Sequence, residues 1–189
     1  MIIVLNGTAA SGKGTLASML AKYLHLSHYD FGLIFRAVAD LRKFHSWTTI
    51  EQMINQGVLS HEAGHVLSNR VDITAALKSE EAGFAAAVLA SQEEASLVAA
   101  AKKFVRHKAF VADGRTISTI YPQADRHFEI VSDYDTSQGR RLAQGGDATL
   151  FRERWSLDQA RMGRSSRAVF VGTTGQTPEQ SLHFILSHL

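Results

Sequence analysis

The sequence predicts an α/β domain of three layers, with helices on both faces of a mostly parallel sheet. Three observations carry that expectation. Short apolar runs rich in β-branched residues alternate with helical stretches. The first run passes through a glycine-rich loop straight into a helix. No internal repeat or low-complexity linker divides the 189 residues.

Taken in order, "IIVLN" reads as a buried parallel strand. "KGTLASMLAKYL" follows the glycine loop as a helix, with Leu16, Met19, Leu20, Tyr23 and Leu24 on one stripe. "LSHYD" is a second strand and "FGLIFRAVADL" a second helix. In "TTIEQMINQG", Thr48 and Glu51 stand at capping-box spacing and Gly57 at the C′ position of a short helix. "HVLSNRVDIT" alternates about Asn69-Arg70 as a small hairpin. From Glu80 to about Lys103 the alanine-rich composition predicts one long helix. "AFVAD" and "HFEIVSD" are strands ending in acids. Residues 136 to 167 form an arginine-rich stretch with a Gly-Gly pair and one helix. "AVFVGTT" is the last strand. "TPEQSLHFILSHL" closes the chain with Thr177 as N-cap, Pro178 at N1 and Gln180 completing the box.

Composition narrows the class. Hydrophobic residues make up 45% and charged residues 20%, which is ordinary for a chain long enough to bury its own core. A formal net charge of +2 is too small to argue for a nucleic-acid partner. With no cysteine, disulfides and thiolate-held zinc are excluded, and a cytoplasmic location is expected. No run reaches membrane-span length, and the N-terminus lacks the basic flank of a signal peptide.

The chemistry starts at "NGTAASGKGT". Gly7, Gly12 and Lys13 have the spacing of a phosphate-binding P-loop, in the strand–loop–helix context that motif requires. Glycines let backbone N–H groups turn toward phosphate oxygens, the helix N-terminus adds positive potential, and Lys13 reaches the phosphates. The cradle comprises Gly7, Thr8, Ala9, Ala10, Ser11, Gly12, Lys13, Gly14 and Thr15. The position after Lys13, where such loops commonly offer a Ser or Thr hydroxyl to Mg²⁺, is Gly14. Asp113, ending the strand "FVAD", has the placement of an acid that orders Mg²⁺ or its waters. Seven arginines between Arg140 and Arg167, interrupted by three acids, suit a lid closing over phosphates. "HEAGH" at residues 61 to 65 matches a zinc pattern, but Gly64 weakens the helix that pattern needs, and the match is read as incidental. Trp47 and Trp155 are read as packing anchors.

Several stretches together resemble bacterial cytidylate kinases. "YDFGLIFRAVA" is similar to their Asp-x-Gly-x-x-Tyr-Arg stretch, and "VADGRTIST" to their Asp-Gly-Arg-Asp-x-Gly-Thr. "RERWSLDQAR" is similar to their Arg-x-x-x-Asp-x-x-Arg, and "GTTGQTPEQSL" to their last strand-to-helix turn. "VDITAALKSEE" is a fainter echo of their monophosphate-side insert. The resemblance covers most of the chain in the right order. It implies a P-loop kinase fold with a parallel five-stranded sheet in the order 2-3-1-4-5. The core would lie at about 1–39, 80–135 and 166–189, with a short insert at about 40–79 and a lid at about 136–165. It implies a monomer that transfers the γ-phosphoryl group of ATP, with Mg²⁺, to a small nucleotide acceptor, CMP or dCMP. Lys13, Arg115, Arg154 and Arg161 would be the catalytic cations. Asp30, Arg36, Arg115, Thr116, Asp158 and Arg161 would hold the acceptor. Nucleoside monophosphate kinases often read Gly-Lys-Gly-Thr, with the metal held mainly by phosphates and waters. Asp113, acting through water, and Asp30 more weakly, would steady it here.

Departures from the family pattern concern the acceptor. Thr116 replaces an Asp that contacts the acceptor sugar, and Phe35 replaces a Tyr. A Ser and an Arg that read the cytosine edge have no counterpart in "AAAVLASQEEASL". Two other readings therefore stay open: a P-loop kinase for a different small acceptor, and a nucleotide-binding regulatory module with little catalysis.

Overall fold

The structure is a computed structural model. It describes residues 1–62, 64–161 and 165–189, with the side chains of residues 80, 154 and 157–161 outside that description. The elements in chain order begin with β1 (Ile2–Gly7), α1 (Lys13–Tyr23), β2 (Ser27–Asp30), α2 (Phe31–Arg42) and α3 (Trp47–Asn55). Next come β3 (Leu59–Glu62), β4 (His65–Ser68), β5 (Val71–Asp72), α4 (Thr74–Leu77), α5 (Glu80–Gln92) and α6 (Glu94–Lys102). The chain ends with β6 (Phe110–Gly114), α7 (Ile117–Ile120), β7 (Arg126–Val131), α8 (Tyr134–Ala143), α9 (Ala148–Arg161), β8 (Val169–Gly172) and α10 (Pro178–Leu186). The chain forms two compact units, one of residues 1–28 with 108–189 and one of residues 29–107.

The five-stranded sheet has the order β2-β6-β1-β7-β8. Its strands, counted among themselves, run 2-3-1-4-5, the expected order. β1 pairs in parallel with β6 and β7, and β7 in parallel with β8. A central strand flanked in this way is covered on both faces, which is why "IIVLN" is an unbroken apolar run ending in one buried polar residue, Asn6. The first unit's core joins Ile3, Leu5, Leu16, Leu20, Phe128 and Ile185. The buried stripe of α1 is Leu16, Ala17, Leu20 and Ala21. Tyr23, expected on that stripe, is exposed instead. The sheet packs close against α1, so small alanines fill two positions on the inner face. Asn6 closes the strand, accepting from the Ser118 amide at 3.0 Å and donating to its hydroxyl at 2.6 Å. The C-terminal helix has its predicted capping box and Pro178 in the first turn.

The arginine-rich stretch holds two helices where one was expected. α8 ends in a Schellman motif: Gly146 N–H donates to Arg141 O at 3.0 Å and Gly145 N–H to Leu142 O at 2.9 Å. Gly145 takes φ +79°, open to glycine without strain, so the Gly-Gly pair is a helix stop. Asp147 then opens α9 by accepting from Thr149 and Leu150 N–H. Tyr134, Phe151 and Trp155 interlock the two helices with ring centroids 5.6–5.7 Å apart. Trp155 is thus a packing anchor.

In the second unit, α2 packs against α3, α4, α5, α6 and β4. Its N-cap is Asp30, whose Oδ1 accepts from Leu33 N–H at 3.0 Å. α3 is capped by Ser46, which accepts from Thr49 N–H, and Thr48 lies inside the first turn. Both hydroxyl residues precede the same apolar stripe, and the helix starts at the earlier one. The hairpin at Asn69-Arg70 forms, with φ +49° and +65° as a two-residue hairpin turn of this kind demands. A third strand, β3, pairs with β4 and was not legible, because only Leu59 in it is apolar.

"HEAGH" lies across this β3–β4 hairpin. His61 is buried while His65 is exposed and bonds Asp72 at 2.8 Å, so the two imidazoles do not share a face. Among the described residues, no cluster of three metal-ligating side chains occurs. The expected long helix is broken at Glu93, with φ −134° and ψ 41°. That carboxylate accepts from Trp47 Nε1 at 2.6 Å and pairs with Arg42 at 3.5 Å, and the Arg42 guanidinium lies 5.3 Å from the Trp47 ring centroid. Tertiary bonds there outweigh local propensity. Among the described residues, no helix is long and apolar enough to cross a membrane.

Arg167 fastens the chain after the arginine-rich stretch, donating to Pro122 O at 2.7 Å, Ala124 O at 3.3 Å and His127 Nε2 at 3.1 Å. Burial, reinforced by the Arg167 cation, holds the His127 pKa below the ordinary 6.5. As pH falls below that value the unfolded chain takes up a proton before the folded one, so stability declines through this window. His127→Gln keeps an acceptor for Arg167 and does not titrate. Its urea midpoint should lose less than that of the unaltered protein between about pH 7 and about pH 5. Equal losses would show that His127 is not a source of the acid sensitivity.

Candidate functional site

The site grows from the end of β1. Gly7 closes the strand where a Cβ would stand 2.6 Å from Ser11 Oγ and 2.8 Å from Ile130 O, so only glycine lets the loop turn back here. Ala10 takes φ +56° and Gly12 φ +94°. Gly12 is the N-cap of α1 and offers no side chain to it. The first turn of α1 thus presents backbone amides uncapped by a side chain, with the positive end of the helix behind them. Thr8 and Ser11 are buried, and Thr15 is exposed. Lys13 reaches back over the loop, its Nζ donating to Thr8 O at 3.1 Å.

Parallel register brings the acid to this loop. Leu5 of β1 lies opposite Asp113 of β6, and Asn6 opposite Gly114. Asp113 is 2% exposed. Its Oδ1 lies 2.7 Å from His28 Nε2. Its other oxygen, Oδ2, lies 3.7 Å from where a Cβ on Gly14 would stand. A carboxylate oxygen therefore faces the space that a Ser or Thr side chain at position 14 would enter. That is a hard oxygen donor beside the amides of a helix N-terminus, and it fits a Mg²⁺ ion or its waters.

The loop is braced from its far side. Thr173 Oγ1 donates to Ser11 O at 2.8 Å. Arg140 on α8 donates from Nη1 to Thr173 Oγ1 at 3.0 Å and to Ser11 O at 3.3 Å, and from Nη2 to Thr173 O at 2.8 Å. The planar guanidinium suits this multiple grip. Arg115 and Thr116 follow Asp113 after Gly114 and are half-buried, and Thr116 O accepts from both the amide and the hydroxyl of Thr119.

The first unit thus gathers the loop from Gly7 to Thr15, Asp113, Arg115 and Thr116. Asp30 and Arg36 belong to the second unit. There Asp30 caps α2, and Arg36 Nη1 donates to Leu77 O at 2.8 Å. Phe35, in place of the family's Tyr, packs edge-on to Phe31 at 6.0 Å. Arg154, Asp158 and Arg161 fall on α9, and their side chains lie outside the described residues. Sequence reasoning missed His28, Arg140 and Thr173. His28 sits in a recognised strand, yet its partner is 85 residues away and no spacing connects them. Arg140 was counted only among the lid arginines.

The comparisons agree with one another. A family model described as "Cytidylate kinase" matches residues 3–159. A "Cytidylate kinase" of Rhodopseudomonas palustris is 35% identical over 162 residues, covering 78% of this chain and 71% of that protein. One of Bartonella tribocorum is 31% identical over 192 residues, covering 97% and 85%. Among solved structures, TT1252 from Thermus thermophilus superposes with a TM-score of 0.54 at 15% identity, covering 100% of this chain and 97% of that one, which bears on the fold alone.

The loop geometry separates two substitutions. Gly7→Ala drives a Cβ into Ser11 Oγ and a backbone carbonyl, and should cost about 1–3 kcal/mol, read as a lower urea midpoint. Gly14→Ala meets Asp113 Oδ2 only at van der Waals distance and should unfold with the unaltered protein. Equal midpoints for both variants would contradict the tight turn at Gly7.

Proposed function

The chain belongs to the cytidylate kinase family, and from that membership we propose that it phosphorylates CMP or dCMP using Mg·ATP. At the coarser level it is a phosphotransferase of the nucleoside monophosphate kinase class, with ATP as the donor that the family implies. The observation that carries the reading is the approach of Asp113 to the Gly-Lys-Gly-Thr turn, with a carboxylate oxygen beside the side-chain-free position 14.

The roles follow from charge. The amides from Gly7 to Thr15 and the Lys13 ammonium hold the ATP phosphates. Asp113 orders the waters of the metal, with Asp30 a weaker second acid that already caps α2. When bound, Mg²⁺ would supply positive charge that offsets the charge of the phosphates, held through waters ordered by Asp113. Arg36 and Arg115 grip the acceptor phosphate, Thr116 offers a hydroxyl to its sugar, and Asp158 stands near the acceptor. Arg154 and Arg161, with Lys13 and Arg115, neutralise the charge of the moving group. An acceptor phosphate oxygen bonds the γ-phosphorus as the bond to the β–γ bridging oxygen breaks, leaving ADP. Positioning and neutralisation supply the catalysis, and no general base is required. We place the protein in the cytoplasm as a monomer with a small-molecule acceptor and no nucleic-acid partner. The core, the insert at about 40–79 and the lid at about 136–165 are assigned as in the family.

A second reading keeps the phosphotransfer and changes the acceptor. Thr116 in place of an acid, and the apolar packing of Phe35, favour it. ADP release from Mg·ATP with CMP, dCMP, UMP, AMP and GMP decides between them. CMP or dCMP should turn over, with a loss of about 10²-fold or more in Lys13→Ala. Selective turnover of another nucleotide would replace the acceptor. ATP binding with no acceptor-stimulated ADP would make the protein a regulatory nucleotide binder.

A further inference from the structure

We infer that His28 is a positioning residue: it holds one oxygen of Asp113 so that the other faces the metal side of the nucleotide site. The inference rests on the role of Asp113 proposed above, and it adds a residue that neither the loop motif nor the acceptor-binding pattern contains.

The geometry carries it. A carboxylate on a strand can rotate about its terminal bond, and a bond to one oxygen fixes the plane of both. His28 Nε2 makes that bond to Oδ1 at 2.7 Å, the short end of the N–H···O range. The Asp113 side chain is 3% exposed and that of His28 13%, so little water competes for the contact. With Oδ1 so held, Oδ2 points toward position 14, where the absent side chain leaves it 3.7 Å from the Cβ site. Both partners stand on neighbouring strands of the sheet, β2 and β6, rather than on loops, and their separation is fixed by backbone pairing. For the bond to form, the proton must sit on Nε2, which the Asp113 carboxylate itself enforces.

The arrangement answers the gap left by Gly14. Loops with a hydroxyl at that position place an oxygen on the metal from the helix. Here an oxygen that would order the metal's waters comes from β6 instead, and it needs a support that a helix-borne hydroxyl does not. His28 is that support.

The test uses the full chain and Mg²⁺ itself as the probe. For the unaltered protein, His28→Phe, His28→Asn, His28→Gln and Asp113→Asn, the ATP dissociation constant is measured by calorimetry in excess EDTA and again in excess Mg²⁺. The ratio of the two reports how strongly the protein favours the metal-bound nucleotide, whatever the acceptor is. His28→Phe, which keeps the bulk, and His28→Asn, which keeps polarity but is too short to reach, should each lower the ratio about 10-fold. The metal-free constant should stay unchanged, while the thermal midpoint falls modestly in these two variants because a buried carboxylate loses a donor. His28→Gln, whose amide can donate to the same oxygen, should recover most of the ratio. An unchanged ratio in His28→Phe and His28→Asn alongside a lowered one in Asp113→Asn overturns the role of His28 and leaves that of Asp113 standing. An unchanged ratio in Asp113→Asn overturns both. Equal losses in all three His28 variants, with the thermal midpoint lowered equally in all three, would assign His28 to packing. Failure of CMP to turn over touches only the acceptor, because no acceptor enters this measurement.

Discussion

Parallel pairing of β1 on both of its edges is the constraint from which the site follows. It puts Gly7 level with Ile130 of β7 and Asp113 level with Leu5, two residues back along β1, so that a loop leaving β1 must begin within contact distance of its neighbours. The missing Cβ at Gly7 is what this crowding requires, since Ile130 O already occupies the space. The helix that receives the loop is anchored by Leu16 and Leu20 in the same core as β1. Loop, helix end and acid are therefore positioned by backbone pairing and apolar burial before any polar contact is made. This is the usual advantage of the C-terminal edge of a parallel sheet, where ligands meet chain ends held by a rigid frame.

On that frame, polar bonds refine the positions. Asn6 locks β1 to the turn after β6, Thr173 and Arg140 brace Ser11, and His28 holds Asp113. Each joins segments far apart in sequence, and none is part of a periodic pattern. In the second unit the same logic operates at Glu93, where an indole, a guanidinium and a carboxylate fix the corner between α5 and α6. The polar groups joined in these bonds are tolerated because they meet partners of matching chemistry, although the Ser11 hydroxyl and Arg42 Nε are buried without one.

The difference between those two levels explains what was legible in the sequence. The glycine loop, the acid after "FVA" and the boxed C-terminal helix are written in local signals of period, cap and turn, whereas the sheet order was implied only by the family resemblance. The hairpin at Asn69-Arg70 is equally local. Misreadings occur where a distant residue decides. Glu93 breaks a helix that alanine propensity would continue. Ser46 takes the cap that Thr48 could also have supplied. β3 has too few apolar residues to announce itself, and its one partner strand settles its state. The loop and Asp113 could be read directly, whereas His28, Arg140 and Thr173 became visible only once the strands were side by side. Arg36 and Asp30 were named for an acceptor, and within their own unit they also hold a backbone carbonyl and a helix end.

Two arginines bracket the cationic stretch, and both are bound to backbone. Arg140 near its start grips Ser11 O and Thr173 O, while Arg167 at its end grips Pro122 O and Ala124 O. Each of these two fastenings is made of the residue type that elsewhere would greet an anion. Dissolved salt acts unequally on such a device. It screens charges that meet a ligand through solvent far more than guanidinium forks lodged against carbonyl oxygens. Ionic strength should consequently screen the exposed charges of the stretch long before it loosens either fastening, so both ends stay attached at salt concentrations that silence a charge facing solvent.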